Sequence, residues 1–173
     1  MSSIHLVHRH ALLALATLVL ASCGGGASTG DAASGGSALV GTWGNTTCYA
    51  FCTAPDCGNC DNAMTFSADG SYATATSFMN TTSNSSFPGC QISSNYSGFR
   101  YTATATTYDV VVGASAGSVV ARSGCMNAGD NQAATPDPGF TPGNLAVAGV
   151  PYVVSGTTLT VGGGASALVF TRR

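Results

Sequence analysis

From Leu39 to the C-terminus no stretch keeps a helical repeat of apolar residues, and threonine, valine and glycine are spread throughout it. Threonine and valine lose side-chain freedom in a helix and fit the pleated surface of a sheet, so this part of the chain reads as all-β. Strands are expected at 39–43, 63–66, 72–78, 118–122, 152–154, 157–161 and 167–172. Between Phe99 and Val112 runs the longest alternating segment, with Phe99, Tyr101, Ala103 and Ala105 on one face. That gives about eight strands, the makings of an antiparallel barrel or a related sandwich.

The turns support the same reading. Asp69-Gly70 lies between two apolar runs and is a strong hairpin signal; Ser155-Gly156 marks a second tight hairpin. Two regions look irregular. Residues 45–61 hold four cysteines, and residues 123–150 hold Cys125 with Pro136, Pro138 and Pro142. A connection of that length without structure of its own is usually functional or disordered.

The N-terminus is of another kind. Arg9 and three histidines precede the apolar run Ala11–Ala21, which is too short to span a bilayer, and small residues follow. That order reads as a secretory signal over residues 1–22. Its end, Leu20-Ala21-Ser22-Cys23, resembles the lipobox of bacterial lipoproteins. The resemblance implies a lipid on Cys23, which becomes the first mature residue and the protein's link to the membrane. One acyl chain anchors marginally and two or three anchor stably, at about 0.8 kcal/mol per buried CH₂. Gly24 stands where an aspartate tends to retain such proteins in the inner membrane, so the expected address is the outer membrane of the envelope. Residues 23–38, rich in glycine and serine, read as a flexible tether with a reach of about 2 nm. The domain proper is then 39–173.

Without the signal the chain has no histidine, lysine or glutamate. Arg100, Arg122, Arg172 and Arg173 face seven aspartates, a net charge of −3. No basic cluster offers a footprint for nucleic acid. No Ser–His or Ser–Lys pair can form, which argues against a hydrolase, and Asp69-Gly70-Ser71 reads as a turn rather than as part of a catalytic dyad.

Setting Cys23 aside leaves an even six cysteines: Cys48, Cys52, Cys57, Cys60, Cys90 and Cys125. In an oxidising envelope these read as three disulfides, with 15 possible pairings. Cys90 and Cys125 are expected to reach back and pin the cysteine-rich insertion and the long loop to the barrel. The Cys-x₃-Cys-x₄-Cys-x₂-Cys spacing also suits a zinc or iron–sulfur site, but export oxidises thiols and two cysteines would be left over. Cys57-Gly58-Asn59-Cys60 has the form of a redox motif, yet aspartates flank it and no βαβ pattern surrounds it. Asp130, Asn131 and Asp137 carry oxygens suited to calcium without the spacing of a calcium loop. No metal or cofactor is therefore expected.

Leu39-Val40-Gly41-Thr42-Trp43 resembles the Gly-x-Trp opening strand of lipocalins and of bacterial lipocalin-like lipoproteins. Phe66 to Tyr72 is similar to the hairpin that follows in that bacterial group, and Tyr152 to Val161 to its late hairpin. The resemblance covers both ends of the domain and leaves residues 80–150 unmatched. It implies a lipocalin-like barrel in which Arg172, on the last strand, packs over Trp43. If one sheet face lines such a barrel, Trp43, Phe66, Tyr72, Tyr101, Tyr152 and Phe170 are the candidates to meet a ligand. The same residues can equally fill an eight-stranded barrel as its core. Two functions are thus expected to compete: an envelope lipoprotein that binds a small apolar molecule, and an interaction module that meets an envelope protein through 123–150 and 45–61. Neither is an enzyme.

Overall fold

In the computed structural model, residues 36–48, 57–81 and 87–173 are described. The signal, Cys23, most of the tether, and Cys52 lie outside them. Nine strands follow one another: β1 (Gly41–Asn45), β2 (Cys57–Phe66), β3 (Ser71–Asn80), β4 (Gln91–Ala103), β5 (Thr107–Ser123), β6 (Gln132–Pro136), β7 (Val147–Ser155), β8 (Thr158–Val161) and β9 (Leu168–Arg172). The only helices among the described residues are short 3₁₀ turns, and none is long and apolar enough to cross a membrane.

Eight strands close a barrel in the order β1-β2-β3-β4-β5-β7-β8-β9, and every pairing is antiparallel. The seam joins Trp43 to Arg172 and Gly44 to Thr171, so first and last strands meet and the barrel has no open edge there. Of the two architectures the alternation allowed, the chain forms the barrel. Inside it the apolar face of each strand is buried. Leu39, Trp43, Phe99 and Leu159 have no exposed surface, and Phe66, Val110 and Phe170 have almost none. Phe66 sits at the centre of an aromatic cluster, with ring centroids 5.0 Å from Tyr72, 5.0 Å from Tyr101 and 5.3 Å from Tyr108. Burying each such ring contributes on the order of 2–3 kcal/mol, and edge-to-face contact adds a little more.

β5 gives the fold its asymmetry. Its first residues, Thr107, Tyr108 and Val110, pair with β7 and complete the barrel; Val119, Val120 and Arg122 pair instead with β6. Beyond the barrel rim the sheet therefore continues as a wing, in which the far halves of β2, β3, β4 and β5 run on and β6 forms the outer edge. A bulge at Ser97–Phe99 marks the transition. Gly98 sits there at φ +79°, and a side chain on it would collide with the Ser115 carbonyl, so the crossover needs glycine.

The sequence reading differs from this fold in four places. The alternating run 99–112 is two strands, the end of β4 and the start of β5. The chain reverses at Thr104–Thr106 without glycine, proline, asparagine or aspartate, because the Thr104 hydroxyl accepts the backbone N–H groups of Thr106 and Thr107 at 3.3 and 3.0 Å. The far half of β4, from Gln91, carries too many serines to stand out as apolar alternation. The irregular stretch 123–150 contains β6 and the start of β7. The insertion 45–61 ends inside β2.

Candidate functional site

On the inner face of the wing lies a groove of about 490 Å³. Register builds it. Phe78 stands opposite Ile92, Ile92 opposite Arg122, and Arg122 opposite Gln132; one rung nearer the barrel, Thr76, Ser94, Val120 and Thr135 form a second row. Side chains two residues apart share a face of a strand, so both rows point the same way. The bulges at Tyr72/Thr74 and Ser97/Phe99 reset the alternation, which brings Tyr96, Ser94 and Ile92 onto the face that carries Phe99 inside the barrel.

Phe87, Pro136 and Pro138 complete the apolar lining. At the inner end Phe140, on the connection between β6 and β7, packs against Tyr96 at 5.2 Å and Phe99 at 6.3 Å. The groove thus runs from the barrel core outward to the Cys90–Cys125 disulfide, whose Cα atoms lie 3.9 Å apart. Beside that bridge Cys90 N donates to Phe87 O, and Met126 N donates to Pro88 O.

Two charged side chains line this groove. Arg122 is the half-buried one among the four arginines of the domain; the others are exposed. Its Cζ lies 3.8 Å from the centroid of the Phe87 ring, and one Nη donates to Gln132 Oε1 at 2.5 Å. The Gln132 amide is itself held, donating to Thr135 Oγ1 at 2.6 Å. Arg122 Nε is buried and, among the described residues, has no hydrogen-bond partner. Asp137 enters at the other end, where its backbone N–H donates to Ser118 O and its Oδ1 accepts from Gly139 N at 2.9 Å. Ser118 and Arg122 are four positions apart on β5, about 13 Å along a strand. Burial pushes the Tyr96 phenol above its ordinary pKa, and the nearby Asp137 carboxylate adds to the rise.

None of the six aromatic candidates lines the groove. All belong to the barrel core: Trp43, Phe66, Tyr72, Tyr152 and Phe170 are buried in it, and Tyr101 packs against it. Their polar ends are satisfied within the fold. Trp43 Nε1 donates to Leu39 O at 2.7 Å, Tyr101 to Ser67 O at 3.1 Å and Tyr152 to Thr104 O at 2.8 Å. Arg172 does stack on Trp43, with Cζ 4.3 Å from the ring.

The cysteines correct one expectation. Cys48 pairs with Cys60, at a Cα separation of 5.2 Å, and Cys90 pairs with Cys125 rather than reaching back to the insertion. Register explains it: Gln91 stands opposite Ser123, which holds the flanking cysteines close together. Cys57 is disulfide-bonded as well. Cys57 and Cys60 lie on a strand and do not bond to each other, which removes the geometry of a redox Cys-x-x-Cys. Asp69 Oδ1 accepts from Ser71 N and Oγ at 2.9 and 2.7 Å, closing the hairpin. Asp130 and Asn131 are engaged locally, by Asn127 Nδ2 and Cys125 N.

Among the groove residues that the sequence reading did not name as site candidates are Phe78, Phe87, Ile92, Tyr96, Arg122 and Gln132. Arg122 carried the one usable signal, a lone cation closing the apolar run Val119–Ala121. Comparison of the chain with family models, with curated proteins and with solved structures gives no match.

Proposed function

We propose that the protein is a non-enzymatic lipoprotein of the bacterial cell envelope, held by a lipid on Cys23 in the outer membrane, and that it binds a small, largely apolar molecule. The binding site is the groove of the wing rather than the barrel centre. The observation that carries this reading is the groove itself. Its volume falls within the range of small-molecule sites, its lining is mainly aromatic, aliphatic and prolyl, and a few polar groups converge on it. The barrel centre is occupied by the protein's own aromatic side chains, as expected for eight strands. The lipocalin-like character of the reading draws on Gly41-Thr42-Trp43 in the opening strand and on Arg172 above Trp43.

The test is binding of the neutral fluorophore phenylnaphthylamine to the full chain carrying Cys23→Ser, which removes the lipidation site. Saturable binding is expected, and Val120→Trp, which fills the middle of the groove, abolishes it. Binding that survives Val120→Trp refutes the groove as the site. For the anchor, the N-terminal mass of the envelope-extracted wild-type chain is read: acyl groups on Cys23 are expected, and an unmodified cysteine overturns the anchor.

A second reading has its own observation. The segment between β5 and β7 carries β6 and two 3₁₀ turns, and Met126 on it is 75 % exposed. This segment is the surface through which an envelope protein would be met.

A further inference from the structure

Arg122 is placed unlike any other cation in the domain. Arg173 meets Asp61, Arg172 spends its guanidinium on the Val40 and Ala38 carbonyls, and Arg100 donates to the Asp69 carbonyl. Those three are exposed, so water completes their hydration. Arg122 is half-buried in an apolar wall, and among the described residues it meets a neutral amide and an aromatic ring while its Nε has no hydrogen-bond partner. A guanidinium has five donors in a planar fork. Here most of them remain for a ligand, in a setting where an unpaired polar group is costly. The fork is also held in place, because Gln132 fixes one arm and Phe87 supports the plane.

We propose that the groove takes an amphipathic monoanion, a carboxylate or sulfonate on an apolar body, with its acidic group on Arg122. This rests on the reading of the groove as a ligand site and adds the ligand's class and orientation. The apolar body lies along Phe78, Ile92, Val120 and Pro136, toward Tyr96. Asp137 fixes the direction: its carboxylate at the inner end repels an anion there and leaves Arg122 as the acceptor of the charge. Its distance along β5 is enough for both charges to act separately.

A matched pair of probes separates charge from apolar fit. Anilinonaphthalene sulfonate and phenylnaphthylamine share their rings, and the sulfonate is the more water-soluble, so a purely apolar groove prefers the neutral compound. On the full chain with Cys23→Ser at neutral pH, the sulfonate is expected to bind at least about tenfold tighter, the scale of a charge-assisted hydrogen bond. Arg122→Gln erases the preference, the sulfonate losing about tenfold more affinity than phenylnaphthylamine does, and Asp137→Asn keeps it. Equal affinities in the wild type, or a preference that survives Arg122→Gln, overturn the assignment of the anion while leaving the groove reading intact. Failure of both probes to bind in a way that Val120→Trp abolishes overturns the groove reading as well. A second measurement needs no variant at Arg122: decanoate displaces bound phenylnaphthylamine at about tenfold lower concentration than decanol, and equal or reversed potency overturns the proposal.

Discussion

The guanidinium of Arg172 lies 4.3 Å above the indole ring of Trp43 and donates to the carbonyls of Val40 and Ala38, each at 3.0 Å. The last strand thus seals the entry of the first, directly at the barrel seam where the two residues pair. Gly41 makes room for it: a side chain there would press on the Arg172 guanidinium, and its φ of +137° is one that other residues rarely adopt.

Removing that seal is expected to cost stability without unmaking the fold. Arg172→Ala loses two hydrogen bonds to carbonyls and a cation–π contact at an exposed site, together about 1–3 kcal/mol. Trp43 is the single tryptophan, so urea unfolding followed by its fluorescence reads the effect directly. Arg172→Lys keeps the charge but not the fork and falls between the two. An unchanged midpoint in Arg172→Ala shows that the seam is held by strand pairing alone.

The core gives a sharper contrast. Phe66→Ala removes a ring that touches three others in a site with almost no exposure, and a loss of about 3–5 kcal/mol is expected. Val153→Ala, on the outer face of β7 at 64 % exposure, stays within about 0.5 kcal/mol. Equal losses in the two variants contradict the assignment of inner and outer faces.

How much of this was legible in the residues follows from the range over which each feature is encoded. The Asp69-Gly70 hairpin is local, and so it was visible: Gly70 supplies φ +78° and Asp69 closes the turn on Ser71. The reversal at Thr104 is just as local, but a threonine hydroxyl is a weak turn signal that reads equally well as strand. The barrel class was visible in the alternation, because each strand buries one face. The groove was not, because nothing in the neighbours of Arg122 in the chain announces Gln132 ten positions later or Phe87 thirty-five positions earlier. Those meet through the register of β4, β5 and β6, and the bulge at Gly98 decides which face of the wing they share. The same holds for Cys90 and Cys125, paired by a hairpin whose first half was not recognised.

At high pH a buried phenol is expected to weaken the fold. Burial pushes Tyr108 up to about 12. In the unfolded chain it ionises near pH 10, so above that pH the unfolded state binds fewer protons than the folded one. Its contribution is present in full below about pH 10 and is lost between about 10 and 12, reaching about 3 kcal/mol. Stability measured across this window falls in the wild type and falls less in Tyr108→Phe. At the acid end, Arg173 holds the Asp61 carboxyl below its ordinary value, so that contribution is lost as pH falls through the carboxylate range and below it. Asp61→Asn makes the acid limb shallower and leaves the alkaline limb unchanged; the share of Asp69, held below its ordinary value by its hydrogen bonds from Ser71, remains.

The Cys90–Cys125 bridge separates the stability of the wing from that of the barrel. It closes a loop of 35 residues, for which chain entropy gives about 4 kcal/mol; the Cys48–Cys60 bridge, spanning 12, gives about 3 kcal/mol. The difference is small, but the positions are not equivalent. Cys90–Cys125 ties the start of β4 to the end of β5 beside Phe87 and Arg122, at the outer end of the groove, whereas Trp43 reports on the barrel seam at the opposite side of the sheet order. In Cys90→Ala/Cys125→Ala, hydrogen exchange is expected to quicken first in β6 and the far half of β5, and phenylnaphthylamine to bind about tenfold more weakly, while the native emission of Trp43 stays as in the wild type. In Cys48→Ala/Cys60→Ala the order reverses: β1 and the middle of β2, joined through Asn62 and Asn45, loosen, and the groove keeps its affinity. Loss of Trp43 packing in the first variant at the same denaturant concentration as wing opening means that wing and barrel unfold as one unit, and the bridge then braces the whole domain rather than the groove.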